Sequence, residues 1–215
     1  METALRLKGD GSVTVLTMGP SKLAEEMMPL MARGADRAVL VTDPKMAGAD
    51  TVATARALAA AVGKLGEFDL ILCGRRAMDG ETGQVPGMLA AALGIPCVTN
   101  AESLELGENF TLGRRLERGT QKLEVALPAV VSVCEYAYPL RLAGIMGMRR
   151  AKEKQVEILT AEDLGLTEDV CGLKGSKTKV VRMDTKFPGL RKGPKETDAA
   201  SGAREILRRC GEVGQ

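Results

Sequence analysis

The stretch FDLILCGRRAMDGETGQVPGMLAAAL, residues 68–93, decides the fold. Residues 68–73 are a short apolar run typical of a buried strand, and residues 74–84 form a polar loop that contains three glycines. Residues 85–93 have the composition of a helix, which Gly94 is placed to end. A strand that leads through a glycine-rich loop into a helix is the building unit of a parallel α/β sheet.

The same unit is repeated towards the amino terminus. Further strands are predicted at residues 12–18 and 38–42, and helices at residues 22–33 and 50–65. This alternation predicts the α/β class, with a doubly wound, mostly parallel sheet. After residue 97 the pattern changes to a small antiparallel meander followed by one more buried strand, with predicted strands at residues 98–99, 103–106, 110–117, 121–127 and 129–133.

Two regions are predicted from the change in composition along the chain. Residues 1–165 form the α/β nucleotide-binding domain, and residues 166–215 form an extended arm with a terminal helix over residues 198–212. Eight basic residues and one acid lie between Lys174 and Lys195, so the arm is strongly basic.

Composition excludes several classes of function. The chain has no histidine, which rules out Ser-His and Cys-His catalysis and histidine-ligated metals on this chain alone. Its five cysteines are widely spaced without a CxxC pair, so we expect no metal site and a reducing, cytoplasmic location. The net charge of +2 and the 2% aromatic content argue against nucleic-acid binding, and no apolar run is long enough to cross a membrane.

The loop at residues 74–84 is the first candidate binding site. It follows the carboxyl end of a strand and opens a helix, where backbone amides and the Thr82 hydroxyl can hold phosphate. The alternative is a plain connecting loop in which Thr82 only caps the helix. A second corner, Met18-Gly19, follows the first strand, and there Ser21 can simply cap the next helix.

Several motifs, in the same order along nearly the whole chain, resemble the β subunit of electron transfer flavoprotein. The most specific are Gly34-Ala35-Asp36-Arg37 and Asp79-Gly80-Glu81-Thr82-Gly83-Gln84-Val85. The resemblance implies a sheet of the adenine-nucleotide alpha hydrolase type. The family's opening strand, ordinarily central in that sheet, has no counterpart here, and the loop after it ordinarily contacts the adenine end of the nucleotide.

The resemblance also implies cofactors and site residues. The redox FAD is held mainly by an α subunit, and the β subunit binds a second nucleotide, AMP in simple carriers or FAD in electron-bifurcating members. The Asp-Gly-Glu-Thr form resembles the bifurcating group more. Met18 and Gly19 would line one side of this pocket. The residues implied to wrap the phosphates are Gly74, Arg76, Ala77, Met78, Asp79, Gly80, Glu81, Thr82, Gly83, Gln84 and Val85.

Residues 138–146 resemble the recognition loop with which the family docks partner dehydrogenases such as acyl-CoA dehydrogenases. Leu142 matches the exposed leucine that serves there as the anchor, and the alternative is that Leu142 belongs to the core. The preceding residues 134–137 depart from the family pattern, which leaves the partner's identity open. The basic arm resembles the segment that embraces the α subunit.

Two functions compete at this stage. The first is an electron-carrier subunit of a heterodimer, not a self-sufficient enzyme, because the redox chemistry must come from a bound flavin. The second is a stand-alone adenine-nucleotide-binding or sensing domain on the same scaffold. The two differ in whether the chain purifies with an α-type subunit and a yellow colour.

Overall fold

The computed structural model describes residues 1–135, 137–182 and 198–213. It divides into two compact units, Met1–Lys179 and a second unit over residues 180–215. The predicted boundary between a nucleotide-binding domain, residues 1–165, and an arm, residues 166–215, stays a prediction. In the basic arm, Lys186, Arg191, Lys192 and Lys195 lie outside the described residues.

The first unit begins with alternating helices and strands, as the sequence predicts. The elements up to the loop site and its helix are α1 (Glu2–Leu7), β1 (Thr14–Met18), α2 (Leu23–Ala32), β2 (Arg37–Val41), α3 (Thr51–Leu65), β3 (Leu70–Gly74) and α4 (Val85–Leu93). Those that follow are β4 (Cys97–Leu106), β5 (Phe110–Leu116), β6 (Gly119–Glu124), β7 (Ala129–Val133), α5 (Ile145–Lys152), β8 (Glu157–Leu159) and α6 (Gly172–Gly175). The second unit contains α7 (Ala199–Val213).

The strands lie in two sheets. One is fully parallel with the order β1-β2-β8, and the other is mixed with the order β3-β7-β4-β5-β6. The predicted α/β class with parallel strands is confirmed. One continuous doubly wound sheet is not, because β1 and β3 do not pair with each other and each is the outer strand of its own sheet.

Parallel pairing buries the central strands on both faces. Val39, Leu40 and Val41 of β2 are fully buried, and so are Val130 and Val131 of β7. Burial on both faces explains why these strands are continuous apolar runs in the sequence and do not alternate between apolar and polar residues.

The meander differs from its prediction at one point. Residues 98–99 and 103–106 were predicted as two strands, but they belong to the single strand β4. Its pairing register shifts around Asn100, whose φ is 62°, so the strand is bulged there and does not end. β4 runs parallel to β7 over residues 97–101 and antiparallel to β5 over residues 101–106.

Asp50 begins α3 and also holds the end of the first unit. Its Oδ1 accepts hydrogen bonds from the backbone N–H groups of Val52 at 3.0 Å and Ala53 at 2.9 Å, so Asp50 caps the helix. Its Oδ2 accepts from the backbone of Lys177 at 2.7 Å and Thr178 at 2.9 Å. Ser21, in contrast, does not cap α2, which begins at Leu23 without a side-chain cap.

Candidate functional site

The loop between β3 and α4 makes two left-handed backbone turns. Glu81 has a φ of 50° and Gly83 a φ of 62°. A Cβ atom on Gly83 would lie 3.3 Å from the carbonyl oxygen of Arg75, so glycine permits both the backbone angle and the close approach. This geometry folds the second half of the loop back over its first residues.

The folded loop forms one side of a pocket of about 270 Å³. The other side comes from the bulge of β4 and from β7, which lies between β3 and β4 in the sheet. The residues that line the pocket are Arg75, Arg76, Glu81, Thr82, Gly83, Thr99, Asn100 and Ser132. Four predicted site residues, Arg76, Glu81, Thr82 and Gly83, are therefore together in this pocket.

Three lining residues were missed by the sequence reasoning. Arg75 lies in the predicted loop of residues 74–84, although it is not among the residues named individually for the phosphates. Thr99, Asn100 and Ser132 come from distant parts of the chain, and only the sheet order brings them to the loop. The buried Ser132 hydroxyl accepts a hydrogen bond of 3.1 Å from the backbone N–H of Asn100, which fixes the bulge that shapes the pocket.

The two arginines of the pocket are paired with carboxylates. Arg75 lies 3.1 Å from a carboxylate oxygen of Glu135, and Arg76 lies 3.5 Å from Glu81 and 3.6 Å from Glu135. The pKa of Glu135 is held below its usual range by its own backbone N–H and then by Arg75 and Arg76. Both arginines are partly exposed, so these pairs are screened and can be exchanged for an anionic ligand.

A third arginine lies behind the pocket wall. Arg114 Nη2 is 3.4 Å from the hydroxyl of Thr99, and Arg114 Nε is buried without a hydrogen-bond partner. A buried donor that lacks an acceptor is costly, so this group favours an additional acceptor at the Thr99 side of the pocket.

Other predicted residues shape the loop and do not line the pocket. The Asp79 carboxylate accepts from the backbone N–H of Gly80 at 2.8 Å, and the Ala77 carbonyl accepts from that of Glu81 at 3.1 Å. Met78 is 97% exposed. The predicted residues Gly74 and Val85 end β3 and begin α4, respectively.

The alternative role for Thr82 is wrong. Gln84 precedes the first residue of α4 and no side chain caps this helix, so Thr82 is not a cap. The Thr82 side chain is exposed at the pocket instead.

Met18 and Gly19 lie at the end of β1 and not beside the loop between β3 and α4. Met18 ends β1, and the backbone N–H of Gly19 donates to the Val41 carbonyl at 3.0 Å. A Cβ atom on Gly19 would meet only the end of the flexible Leu23 side chain, so the turn into α2 does not itself require glycine. Neither residue lines the pocket of the Gly83 loop.

Leu142 is an exposed residue of the segment between β7 and α5. Its side chain is 90% exposed, so the alternative that it belongs to the core is wrong. Ile145 and Met146 at the start of α5 are also exposed. Leu142, Ile145 and Met146 therefore present apolar side chains to solvent, which is the composition of an interaction surface.

The family model described as "Electron transfer flavoprotein domain" matches residues 1–164. The chain belongs to the electron transfer flavoprotein family. Within this family it is 41% identical over 189 residues to an electron transfer flavoprotein subunit beta of Thermoanaerobacterium thermosaccharolyticum, covering 86% of this chain and 72% of the relative.

Two further relatives of the family have similar coverage. The subunit beta of Mycobacterium leprae is 37% identical over 198 residues, which are 92% of this chain and 74% of the relative. The "Caffeyl-CoA reductase-Etf complex subunit CarD" of Acetobacterium woodii is 37% identical over 186 residues, 85% and 71% of the two chains. In the part of the chain that the structure describes, no helix is long and apolar enough to span a membrane.

Proposed function

We propose that this chain is the β subunit of a heterodimeric electron transfer flavoprotein and that its loop pocket holds the phosphates of a nucleotide. The observation that carries the proposal is the convergence of Arg75, Arg76 and Thr82 on one pocket at the carboxyl end of a parallel strand. The unpartnered Nε of Arg114 beside Thr99 supports the same conclusion, because an anion would bring acceptors to this side.

The pocket fits a phosphate group better than a complete nucleotide. Its volume of about 270 Å³ is below the range of about 300–1,000 Å³ that is typical of ligand sites. Arg75 and Arg76 would neutralise the phosphate charge, and Thr82 and the backbone of Gly83 would supply hydrogen bonds. The rest of the nucleotide would lie outside this pocket.

The nucleotide proposed for this site is FAD, with AMP as the alternative outcome. The loop sequence Asp-Gly-Glu-Thr-Gly-Gln-Val and the relative named as part of a caffeyl-CoA reductase–Etf complex support FAD and an electron-bifurcating complex. A bound flavin would supply the electron-transfer chemistry, and this chain's residues would bind and orient it.

The proposed assembly has two protein contacts. An α subunit would carry the redox FAD and contact the terminal helix α7, whose Ile206 and Leu207 are exposed. A dehydrogenase of the acyl-CoA dehydrogenase class would dock at Leu142. The cytoplasmic location predicted from the cysteine pattern stays part of this proposal.

Charge-removing substitutions test the phosphate site. We expect Arg75→Ala and Arg76→Ala to weaken nucleotide binding by about 10–100-fold, because a hydrogen bond to a charged group contributes about 1.5–3 kcal/mol. Arg115→Ala is the matched control, since Arg115 also pairs with a glutamate, Glu102, but lies outside the pocket. Equilibrium dialysis with radiolabelled AMP and FAD gives the two affinities. Equal weakening in all three variants would reduce the effect to net charge and contradict the proposal.

The stand-alone nucleotide-binding domain remains the second candidate. It shares the same loop pocket but requires no α subunit. A colourless, monomeric chain that binds AMP with the same arginine dependence would favour it.

A further inference from the structure

The loop pocket contains negative charges of its own. Among the described residues, the charged side chains that line it are Arg75, Arg76 and Glu81. Glu81 lies 3.5 Å from Arg76, and Glu135, which is not a lining residue, lies 3.1 Å from Arg75 and 3.6 Å from Arg76. The positive charges of the two arginines are therefore balanced by two carboxylates before any ligand binds.

Backbone contacts keep both carboxylates close to the arginines. The backbone N–H of Glu81 donates to the Ala77 carbonyl at 3.1 Å within the loop. Glu135 directly follows Cys134, whose backbone N–H donates to the Ala101 carbonyl of β4 at 2.7 Å. A bound phosphate displaces the carboxylates from direct contact with the arginines, but the backbone leaves them within a side chain's length. Both carboxylates therefore contribute negative potential to the occupied pocket as well.

Arg114 supplies a further positive charge from behind the pocket wall. Its Nη2 atom lies 3.4 Å from the hydroxyl of Thr99, which lines the pocket, and its buried Nε atom has no hydrogen-bond partner. Three arginines against two glutamates leave one positive charge in excess. The pocket is thus weakly positive, although two arginines line it.

The charge of a phosphate group decides how it responds to such a pocket. Attraction to a fixed charge rises in proportion to the charge of the ligand, whereas the cost of removing an ion from water rises with the square of its charge. A phosphate bonded on both sides carries one negative charge, and a terminal phosphate carries about 1.5–2 at pH 7. A small excess of positive charge therefore offsets the dehydration of the first kind better than that of the second.

We propose that Glu81 and Glu135 are specificity-determining residues, which make the loop pocket favour a singly charged phosphate bonded on both sides over a doubly charged terminal phosphate. The phosphates inside a dinucleotide such as FAD belong to the first kind, and the phosphate of AMP belongs to the second. The inference rests on the proposed nucleotide site. It gives a role to two carboxylates that oppose the binding of anions in general.

Two probes that differ in phosphate charge test this role. They are AMP and its 5′-methyl phosphate ester, which carries one negative charge. Isothermal titration calorimetry on the full chain at low ionic strength, where charges are least screened, measures both affinities. We expect Glu81→Gln and Glu135→Gln each to bind the ester about threefold and AMP about tenfold more tightly, because the effect of a nearby charge is multiplied for each ligand charge. The ratio of the two affinities then shifts about threefold towards AMP in each variant and about tenfold in the double variant.

The matched control is Glu157→Gln. Glu157 also forms an ion pair with an arginine, Arg37, but it lies on β8 in the other sheet and does not line the pocket. This substitution removes the same charge from the chain, and we expect the affinity ratio to stay as it is in the unmodified chain. A folding defect or a steric effect of the methyl group acts equally in all comparisons and cancels in the change of the ratio. The shift should disappear at about 1 M salt, where the screening length is about 3 Å.

The outcomes distinguish this inference from the proposed function. If both probes bind but the ratio is the same in Glu81→Gln, Glu135→Gln and the unmodified chain, the inference is overturned and the nucleotide site remains. An equal shift in Glu157→Gln would also overturn it, because net charge alone would then explain the effect. Weaker binding of both probes by the two variants would show that the carboxylates hold the ligand, which is the opposite role. A chain that binds neither probe in any variant would overturn the proposed function and the inference together.

Discussion

Arg141 forms a bidentate ion pair with the carboxylate of Glu2, 139 positions away in the sequence. Its Nε and Nη2 atoms donate to the two carboxylate oxygens at 2.8 and 3.0 Å, and its backbone N–H donates to the same carboxylate at 3.2 Å. Arg6 adds a fourth bond at 3.0 Å. Arg141 directly precedes the exposed Leu142, so this bidentate pair attaches the proposed docking segment to α1.

The ion pair between Glu2 and Arg141 makes the free energy of unfolding depend on pH. The hydrogen bonds from Arg141 lower the pKa of Glu2 from its ordinary 4.5 to about 2. A carboxyl whose pKa is lower in the folded state stabilises the fold fully above about pH 4.5 and loses this contribution as the pH falls towards 2. We expect Glu2→Gln to flatten the fall in unfolding free energy between these values, and to speed hydrogen exchange of the amides near Leu142. Glu108→Gln, in the turn between β4 and β5, is the control, and identical pH profiles for the two variants would contradict this role.

Thr82→Val tests the hydroxyl of the loop pocket. The side chain is exposed and does not cap α4, so we expect the unfolding midpoint to stay within about 1–2 °C of the original. Nucleotide affinity should fall by about 10–100-fold if the hydroxyl donates to a phosphate. Thr54→Val on α3 is the control. Nucleotide content that survives dialysis equally in both variants would remove Thr82 from the site.

The Leu142→Ala substitution distinguishes a docking role of Leu142 from a role in the packing of the core. Because Leu142 is 90% exposed, its truncation should leave stability nearly unchanged, whereas truncation of the fully buried Leu40 should cost about 2–5 kcal/mol. Electron transfer to a partner dehydrogenase should slow in Leu142→Ala at unchanged flavin content. A loss of stability similar to that of Leu40→Ala, or an unchanged electron-transfer rate, would count against docking at this residue.

Local sequence signals predicted the elements better than their assembly. The strands predicted at residues 38–42 and 68–73 and the helix end at Gly94 lie within two residues of where the structure has them, because each depends on neighbours within a few residues. The single doubly wound sheet is not confirmed, because strand order depends on pairing between distant segments and β1 and β3 lie in separate sheets. The contribution of Asn100 and Ser132 to the pocket was hidden for the same reason.

Deletion of residues 185–215 tests the independence of the first unit. Much of this segment lies outside the described residues, but α7 belongs to the second unit, and its Ile206 and Leu207 side chains are exposed. The bonds from Asp50 to Lys177 and Thr178 remain in the shortened chain. We expect the Tm of the first unit to stay within about 2 °C and assembly with an α subunit to weaken. Undiminished heterodimer in size-exclusion chromatography at low and high salt would exclude the deleted segment from the interface.

The central claim is that this chain works as a nucleotide-binding β subunit, and co-expression with an α subunit of the same family tests it most directly. The tagged chain is purified, and its bound nucleotides are released by acid and identified by mass spectrometry. The account predicts a yellow one-to-one complex that contains FAD, with additional FAD or AMP that is lost when Arg75 and Arg76 are both replaced by alanine. A colourless single chain, or a nucleotide content unaffected by the double substitution, would contradict it.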